Sequence, residues 1–309
     1  MSRYIIIFSD ITDDNRHLVG GKGGNLGILY QAGLPVPPGF CVTTQAYKDF
    51  IRQLDIDEKI ETAHSTGDLL RIGEVILKHE ISQDICDQVV ESYKQLGFSD
   101  VVVRSSGSAE DLPDAAFAGQ YETFLNISVG DLCEYVKRCW ASLWTARAIV
   151  YRKQKEISHQ AALMGVVVQQ MIVPSVSGIM FTAHPQTYDR SQIVIESSWE
   201  FGDLVVTGEV DTDSYTISKN KGRIVSKRIV EKERISTLKK GILIQANIPW
   251  YKWYKKKKET LTEPQLALLV QYGKQIEEIY SKPQDIEWAI CEREGKLWIL
   301  QSRAITSKG

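Results

Sequence analysis

The chain has 309 residues, 43% hydrophobic and 25% charged, with 37 lysines and arginines against 39 aspartates and glutamates. This is an ordinary globular composition, long enough for two domains or one enzyme of two lobes, and the net charge of −2 gives no general attraction to nucleic acid or to an anionic membrane. The five cysteines (Cys41, Cys86, Cys133, Cys139, Cys291) are odd in number and none is paired as C-x-x-C, so neither a disulfide framework nor a zinc site is expected, and a reducing cytoplasm is the expected compartment.

Tyr4 to Phe8 is apolar, far too short for a signal or membrane segment, and reads as a strand. Residues 18–33, LVGGKGGNLGILYQAG, set four glycines around Lys22 and then begin a helix at Leu26 that Gly33 ends. A glycine-rich turn at a helix N-terminus with a lysine beside it suits an anion, although plain turn chemistry gives the same pattern. It is not a Walker A loop, because no Ser or Thr follows Lys22. Pro35 to Gly39 forces an extended segment before the strand Phe40-Cys41-Val42. Thr43 or Thr44 then caps a helix through Tyr47 and Phe50. Residues 51–100 are helical in pattern, broken near Thr66-Gly67 and Gly97, with His64 and His79 as solvated helix residues.

The most informative stretch follows: Val101 to Asn126, VVVRSSGSAEDLPDAAFAGQYETFLN. Three β-branched residues predict a buried strand that delivers Arg104 to a loop of small residues and hydroxyls, with strand returning from Thr123 to Ile127. Backbone amides with one arginine suit phosphate oxygens. Residues 131–160 are helical, with Trp140, Leu143 and Trp144 at core spacing and Arg138, Arg147 and Arg152 expected on exposed faces. Strands are expected at Val166–Val173, Ser177–Thr182, Ile193–Ile195 and Thr216–Ile217. Residues 219–262 read as Lys-rich and irregular, with Lys255 to Lys258 in a solvated loop, and residues 264–280 as an amphipathic helix.

The last element reads as a hairpin. A three-residue turn, Arg293-Glu294-Gly295, pairs positions whose numbers sum to 588, setting Glu287 opposite Gln301 and Asp285 opposite Arg303. Alternation puts Ile286, Trp288, Ile290, Trp298 and Leu300 on one face and the four polar residues on the other. A carboxylate, an amide oxygen and a guanidinium together suit Mg²⁺ and the phosphates it neutralises, with a plain Asp285–Arg303 ion pair as the bland reading of that pair.

LVGGKGGNLG, VRSSGSAEDLPDAAFAGQYETFLN, VVQQM, SGIMFTAHP and QDIEW…LQSR, in this order and nearly end to end, resemble the nucleotide-binding part of the phosphoenolpyruvate synthase and pyruvate phosphate dikinase family, shared by rifampin phosphotransferase and phenylphosphate synthase. The resemblance implies an α+β, two-lobed ATP-grasp fold with nucleotide between the lobes, the first lobe over residues 1–167 and the second over 168–309. It implies that ATP goes to AMP, phosphate and a phosphorylated histidine, with ATP and Mg²⁺ as cofactors. By the same resemblance Lys22, Arg104 and Arg303 grip phosphate and act in catalysis. Gly119 and Thr123 belong to a loop over the triphosphate, Gln169, Met171 and Val173 line the adenine pocket, and Glu287 and Gln301 hold the metal. Glu200-Phe201-Gly202-Asp203 stands where the family has a GLGE-like stretch, and His184 where relatives often have Asp or Asn. None of the five histidines (His17, His64, His79, His159, His184) has the context of the family's acceptor histidine. The expectation is a module, a separate subunit or a piece of a longer enzyme, served by a swivelling phosphohistidine domain and an acceptor-binding domain supplied elsewhere, with no nucleic-acid or membrane partner. The rivals are an ATP sensor without turnover and a stand-alone kinase or ligase releasing ADP.

Overall fold

The computed structural model of the protein describes residues 3–97, 99–108 and 122–305. The chain divides into two compact units, residues 1–32 with 38–171 and residues 33–37 with 172–309. Each combines helices with an antiparallel sheet, so the class is α+β, as the sequence led us to expect. A division at 167/168 would cut through a strand hydrogen-bonded on both sides, so it falls after Met171 instead. Residues 33–37 cross to the second unit, where the Ile299 amide donates to the Pro35 carbonyl at 2.8 Å.

The first unit runs β1 (Ile5–Ile7), α1 (Gly20–Gln31), β2 (Gly39–Val42), α2 (Thr44–Arg52), α3 (Ile56–Glu61), α4 (Thr66–Lys78), α5 (Gln83–Leu96), β3 (Val101–Gly107), β4 (Thr123–Ile127), α6 (Leu132–Ala141), α7 (Ala146–Gln154) and β5 (Met164–Gln170). The strand order is β1-β2-β5-β3-β4. Alternation puts Phe40, Val42, Val101, Val103, Val166 and Val168 on one face, buried with Tyr47, Phe50, Trp140 and Trp144. Each large apolar side chain buried here contributes roughly 1.5–3 kcal/mol. Thr43 caps α2, accepting from the Ala46 amide at 3.4 Å, and Ser65 with Asp68 forms a capping box on α4.

Arg152 departs from its expected exposed position. It is fully buried, lies 5.3 Å over the Trp144 ring and donates from Nε to His159 Nδ1 at 3.0 Å. Burial and the Arg152 charge both lower the His159 pKa. Helical periodicity marks a polar side but not which polar residue a neighbouring segment will cover.

The second unit runs β6 (Val176–Phe181), β7 (Gln192–Trp199), α8 (Asp203–Val206), β8 (Asp213–Ser218), β9 (Ile224–Arg228), β10 (Arg234–Lys239), β11 (Ile242–Asn247), α9 (Glu263–Tyr280), β12 (Gln284–Cys291) and β13 (Lys296–Ala304). Six strands form one antiparallel sheet, β13-β12-β6-β7-β8-β9, and β10-β11 forms a separate pair. α9 starts at a Thr262/Gln265 capping box and packs on β12, β13 and β6. Gly273 permits the close approach: a Cβ there would come 3.0 Å from Met180 Sδ and Cε.

Residues 219–262 are therefore not irregular; they hold three strands. Tertiary contacts order them. Asp213 and Lys232 form a fully buried ion pair at 2.6 Å, and the Asp213 carboxylate also accepts from the Val230 amide and from the Thr260 amide and hydroxyl. Residues 230, 232 and 260 of the excursion are thus tied to β8. Removing one partner of such a pair leaves a buried charge, at a cost of about 3–5 kcal/mol.

Candidate functional site

In the first unit the face opposite the core carries the polar residues. The register places Arg104 opposite Thr123 on one side and Val167 on the other, and Gln169 opposite Val102 and Gly39. Because alternate residues share a face, Arg104, Ser106, Thr123, Gln169 and Cys41 lie on one side of the sheet. α1 packs on that side: a Cβ built on Gly23 would lie 2.7 Å from the Cys41 sulfur and 3.6 Å from the Ser106 hydroxyl. Arg104 is buried in mid-strand, not at a strand end, because β3 continues to Gly107.

α1 itself differs from the expected turn. The helix begins at Gly20, so the glycines are inside it. Glycine is a poor helix former, at about 1 kcal/mol below alanine, but here it permits contact. A Cβ on Gly20 would sit 2.1 Å from the Ser106 carbonyl oxygen, and one on Gly23 2.7 Å from Cys41 Sγ. The Ser106 hydroxyl accepts from the Gly23 amide at 2.9 Å and donates to the Val19 carbonyl at 2.7 Å. It thus bridges the donor and acceptor of the first i→i−4 helical bond. Lys22 Nζ donates to the Ser105 carbonyl at 2.7 Å. The first amides of α1, whose partners cannot lie within the helix, are thereby fixed beside Lys22 and the strand carrying Arg104.

Of the three residues expected at the adenine, Gln169 is buried on β5 and Met171 follows it, its amide donating to the Asp100 carbonyl at 3.1 Å. The Asn126 amide approaches Met171 Sδ at 3.1 Å. Val173 is exposed and belongs to the second unit. Gly119 lies outside the described residues.

In the second unit β12 and β13 pair Asp285 with Arg303 and Glu287 with Gln301, as the hairpin reading expects. The route differs in two ways. The turn has four residues, 292–295, with Gly295 at φ 61°, and a register shift between Glu287 and Trp288 leaves Leu300 as an extra residue on β13. The shift offsets the longer turn. Trp298 and Leu300 are consequently not on the Ile286–Trp288–Ile290 face; Leu297 and Ile299 are, while Trp298 packs with Ile172, Ala289 and Cys291.

Arg303 donates from Nε and one terminal nitrogen to Asp285 Oδ2, at 2.8 and 2.6 Å. Burial raises the Asp285 pKa above its ordinary value, opposed by the guanidinium beside it. The bland reading of that pair is therefore present, and it also aims the guanidinium. Following the register across the sheet, Glu287 pairs with Ile179 and Ile179 with Glu196. Glu196, which the sequence reading passed over, shares the face of Glu287 and Gln301. Only strand pairing could have found it.

The stretch at 200–203 is informative in three dimensions. Glu200 has φ 62°, the left-handed region that favours glycine, and its carboxylate lies 3.3 Å from Lys252 Nζ. One oxygen of Asp203 is buried with no hydrogen-bond partner among the described residues, a feature associated with functional sites. His184 accepts from the Gln186 and Thr187 amides at 3.3 Å, so it caps a turn.

With this geometry in place, comparison with known proteins is decisive. The family described as "pyruvate phosphate dikinase, AMP/ATP-binding domain" matches residues 16–309. The chain belongs to that family. A protein named probable phosphoenolpyruvate synthase from Methanothermobacter thermautotrophicus is 39% identical over the whole chain and 47% of its own length. Phosphoenolpyruvate synthase of Pyrococcus furiosus is 36% identical over 99% of the chain and 44% of its own. Rifampicin phosphotransferase of Bacillus subtilis is 37% identical over 99% and 36%. The chain thus spans about half or less of the length of these relatives. As a domain of this family it is an AMP/ATP-binding unit, and the resemblance drawn from its sequence motifs is correct. No helix among the described residues is long and apolar enough to cross a membrane.

Proposed function

We propose that this domain is the ATP-activating module of a dikinase-type phosphotransferase, acting in the cytoplasm. In this reading the bond between the α- and β-phosphates breaks to release AMP. The β-phosphoryl group passes to a histidine nitrogen on a separate domain or subunit, and a water molecule cleaves the β–γ bond, so that the γ-phosphate leaves as inorganic phosphate. The histidine then supplies a small acceptor such as pyruvate, a phenol or an antibiotic hydroxyl. The observation that carries the reading is the shared sheet face of Arg104, Thr123 and Gln169, onto which α1 brings its N-terminal amides and Lys22.

Lys22 and Arg104 neutralise phosphate charge, with the first-turn amides of α1 as further donors. Gly119 and Thr123 cover the triphosphate, and Gln169, Met171 and Val173 line the adenine site. Arg303, oriented by Asp285, grips phosphate. Glu287 and Gln301 form an all-oxygen pair at adjacent cross-strand positions, with Glu196 on the same face, and that donor set fits Mg²⁺. The metal, when bound by Glu287 and Gln301, supplies charge neutralisation for the phosphates. The protein's own part is positioning and electrostatics, since phosphoryl transfer asks for little covalent work.

The test is to follow ATP labelled at the β-phosphate, with and without the phosphohistidine domain of a relative. Label on that domain together with AMP supports the proposal. Tight ATP binding with all label left in ATP favours a sensor. ADP formed without a partner favours a self-contained kinase or ligase.

A further inference from the structure

Charge in this chain is unevenly placed. Residues 219–258 hold fourteen lysines and arginines and two glutamates, in a protein of net charge −2. Residues 234–258 hold eight of those cations and no acidic residue. The same stretch carries Trp250 at 85% exposure and Trp253 at 70%, the most exposed large hydrophobic side chains among the described residues, with Ile242 at 67%, Tyr251 at 59% and Tyr254 at 52%. All four rings belong to one 3-10 segment, Trp250–Lys255, which buries none of its residues. Lys256, Lys257 and Lys258 follow directly.

The base of this patch is anchored. Lys252 pairs with Glu200 at 3.3 Å, Lys255 lies 4.5 Å over the Trp199 ring, and Lys257 pairs with Glu231 at 3.4 Å. The Trp199 indole donates to the Lys255 carbonyl at 2.9 Å. The segment is therefore held against the domain while its indoles and phenols stay in water. Water is a poor medium for them. The polar boundary of a bilayer is a better one, because Trp and Tyr place an apolar body and a polar tip at headgroup depth and lysines meet anionic lipid. Single-stranded nucleic acid also uses aromatic and basic residues, but it needs ring faces available to successive bases. Trp250 and Tyr251 stand at 90° to each other with centroids 6.0 Å apart, which is no stacking platform.

We infer that Trp250–Lys258 is a docking surface for an anionic lipid bilayer, binding reversibly and in a salt-dependent way. This inference is independent of the phosphotransferase reading. The test is co-sedimentation of the full chain with phosphatidylcholine vesicles, with and without phosphatidylserine, at low and physiological salt. Binding only to the phosphatidylserine vesicles is expected, with weakening as salt rises and a blue shift of tryptophan emission. Replacing Lys255, Lys256, Lys257 and Lys258 with Gln should weaken it on the order of a thousandfold, from four interfacial cations at about 1 kcal/mol each. The double variant Trp250→Ala/Trp253→Ala should weaken it on the order of a hundredfold and abolish the blue shift. These side chains are at the surface, so unchanged circular dichroism serves as the folding check. Absence of vesicle binding, equal binding to uncharged vesicles, or binding indifferent to both variants overturns the inference. Stronger retention by an oligothymidylate than by vesicles would reassign the patch to nucleic acid.

Discussion

Ser106→Ala is the most direct probe of how α1 is built into the proposed phosphate site. The hydroxyl makes two buried hydrogen bonds, to the Gly23 amide and the Val19 carbonyl. Each buried neutral bond contributes about 1 kcal/mol net, and a group left unpaired costs about 1–3 kcal/mol. Two unpaired backbone groups would set the loss near 2–6 kcal/mol. The helix can recover part of it by closing the direct Gly23–Val19 bond, but that draws the first turn away from β3. The expected result is a loss of about 2 kcal/mol in the unfolding of the first unit and weaker ATP binding. Urea unfolding followed by intrinsic fluorescence reads the first, and calorimetric titration with a non-hydrolysable ATP analogue reads the second. Ser105→Ala is the control, because that hydroxyl contacts only the Glu122 carbonyl among the described partners, at 3.0 Å. If Ser106→Ala matched the control in both measurements, the hydroxyl would not be what seats the helix, and the argument for the anion-binding terminus would fail with it.

Three further outcomes follow from the same geometry. Arg303→Ala and Arg104→Ala should each lower ATP consumption by roughly two orders of magnitude or more while leaving the protein folded, as loss of a charge-stabilising group does; near-normal turnover in a folded variant would remove the residue from the site. Glu200→Gly should be more stable than Glu200→Ala by about 1 kcal/mol, since both lose the Lys252 contact and only alanine keeps the left-handed strain; paired thermal melts decide it, and equal stability would mean the strain is relieved elsewhere. Asp285 has a folded pKa raised mainly by burial. Its stabilising contribution is therefore fully present below the unfolded value of about 3.9 and is lost as pH rises through the folded pKa. Unfolding midpoints across the mildly acidic range should show this drift in the parent and not in Asp285→Asn; parallel pH profiles would show that the pair with Arg303 fully offsets the burial.

Much of the site was legible in the chain because it sits in short-range patterns. Asp285, Glu287, Gln301 and Arg303 fall within one hairpin, so alternation alone put them on one face. Even there the correct pairs came from two compensating departures, a longer turn and an extra residue at Leu300. The error surfaced only where nothing compensated, in the facing of Trp298 and Leu300. Lys22 and Arg104 stood out by their neighbours in sequence, glycines and hydroxyls.

What the sequence determined by itself is the set of local choices. The strands rich in valine, the caps at Thr43, Ser65 and Thr262, the left-handed glycine at 295 and the chemistry of the phosphate-type residues all depend on a few adjacent side chains. What only the tertiary structure decided are the facts set by distant partners. Gly20 and Gly23 stand in a helix, despite glycine's poor propensity, because β3 and β2 leave no room there for side chains, and Ser106, far along the chain, completes its first turn. Arg152 is buried because His159 and Trp144 meet it. Residues 219–262 form strands because Asp213 holds Lys232 and Thr260. Glu196 joins Glu287 through a strand between them. In each case the deciding energy is a contact between segments far apart in the sequence, and no periodicity within either segment records it.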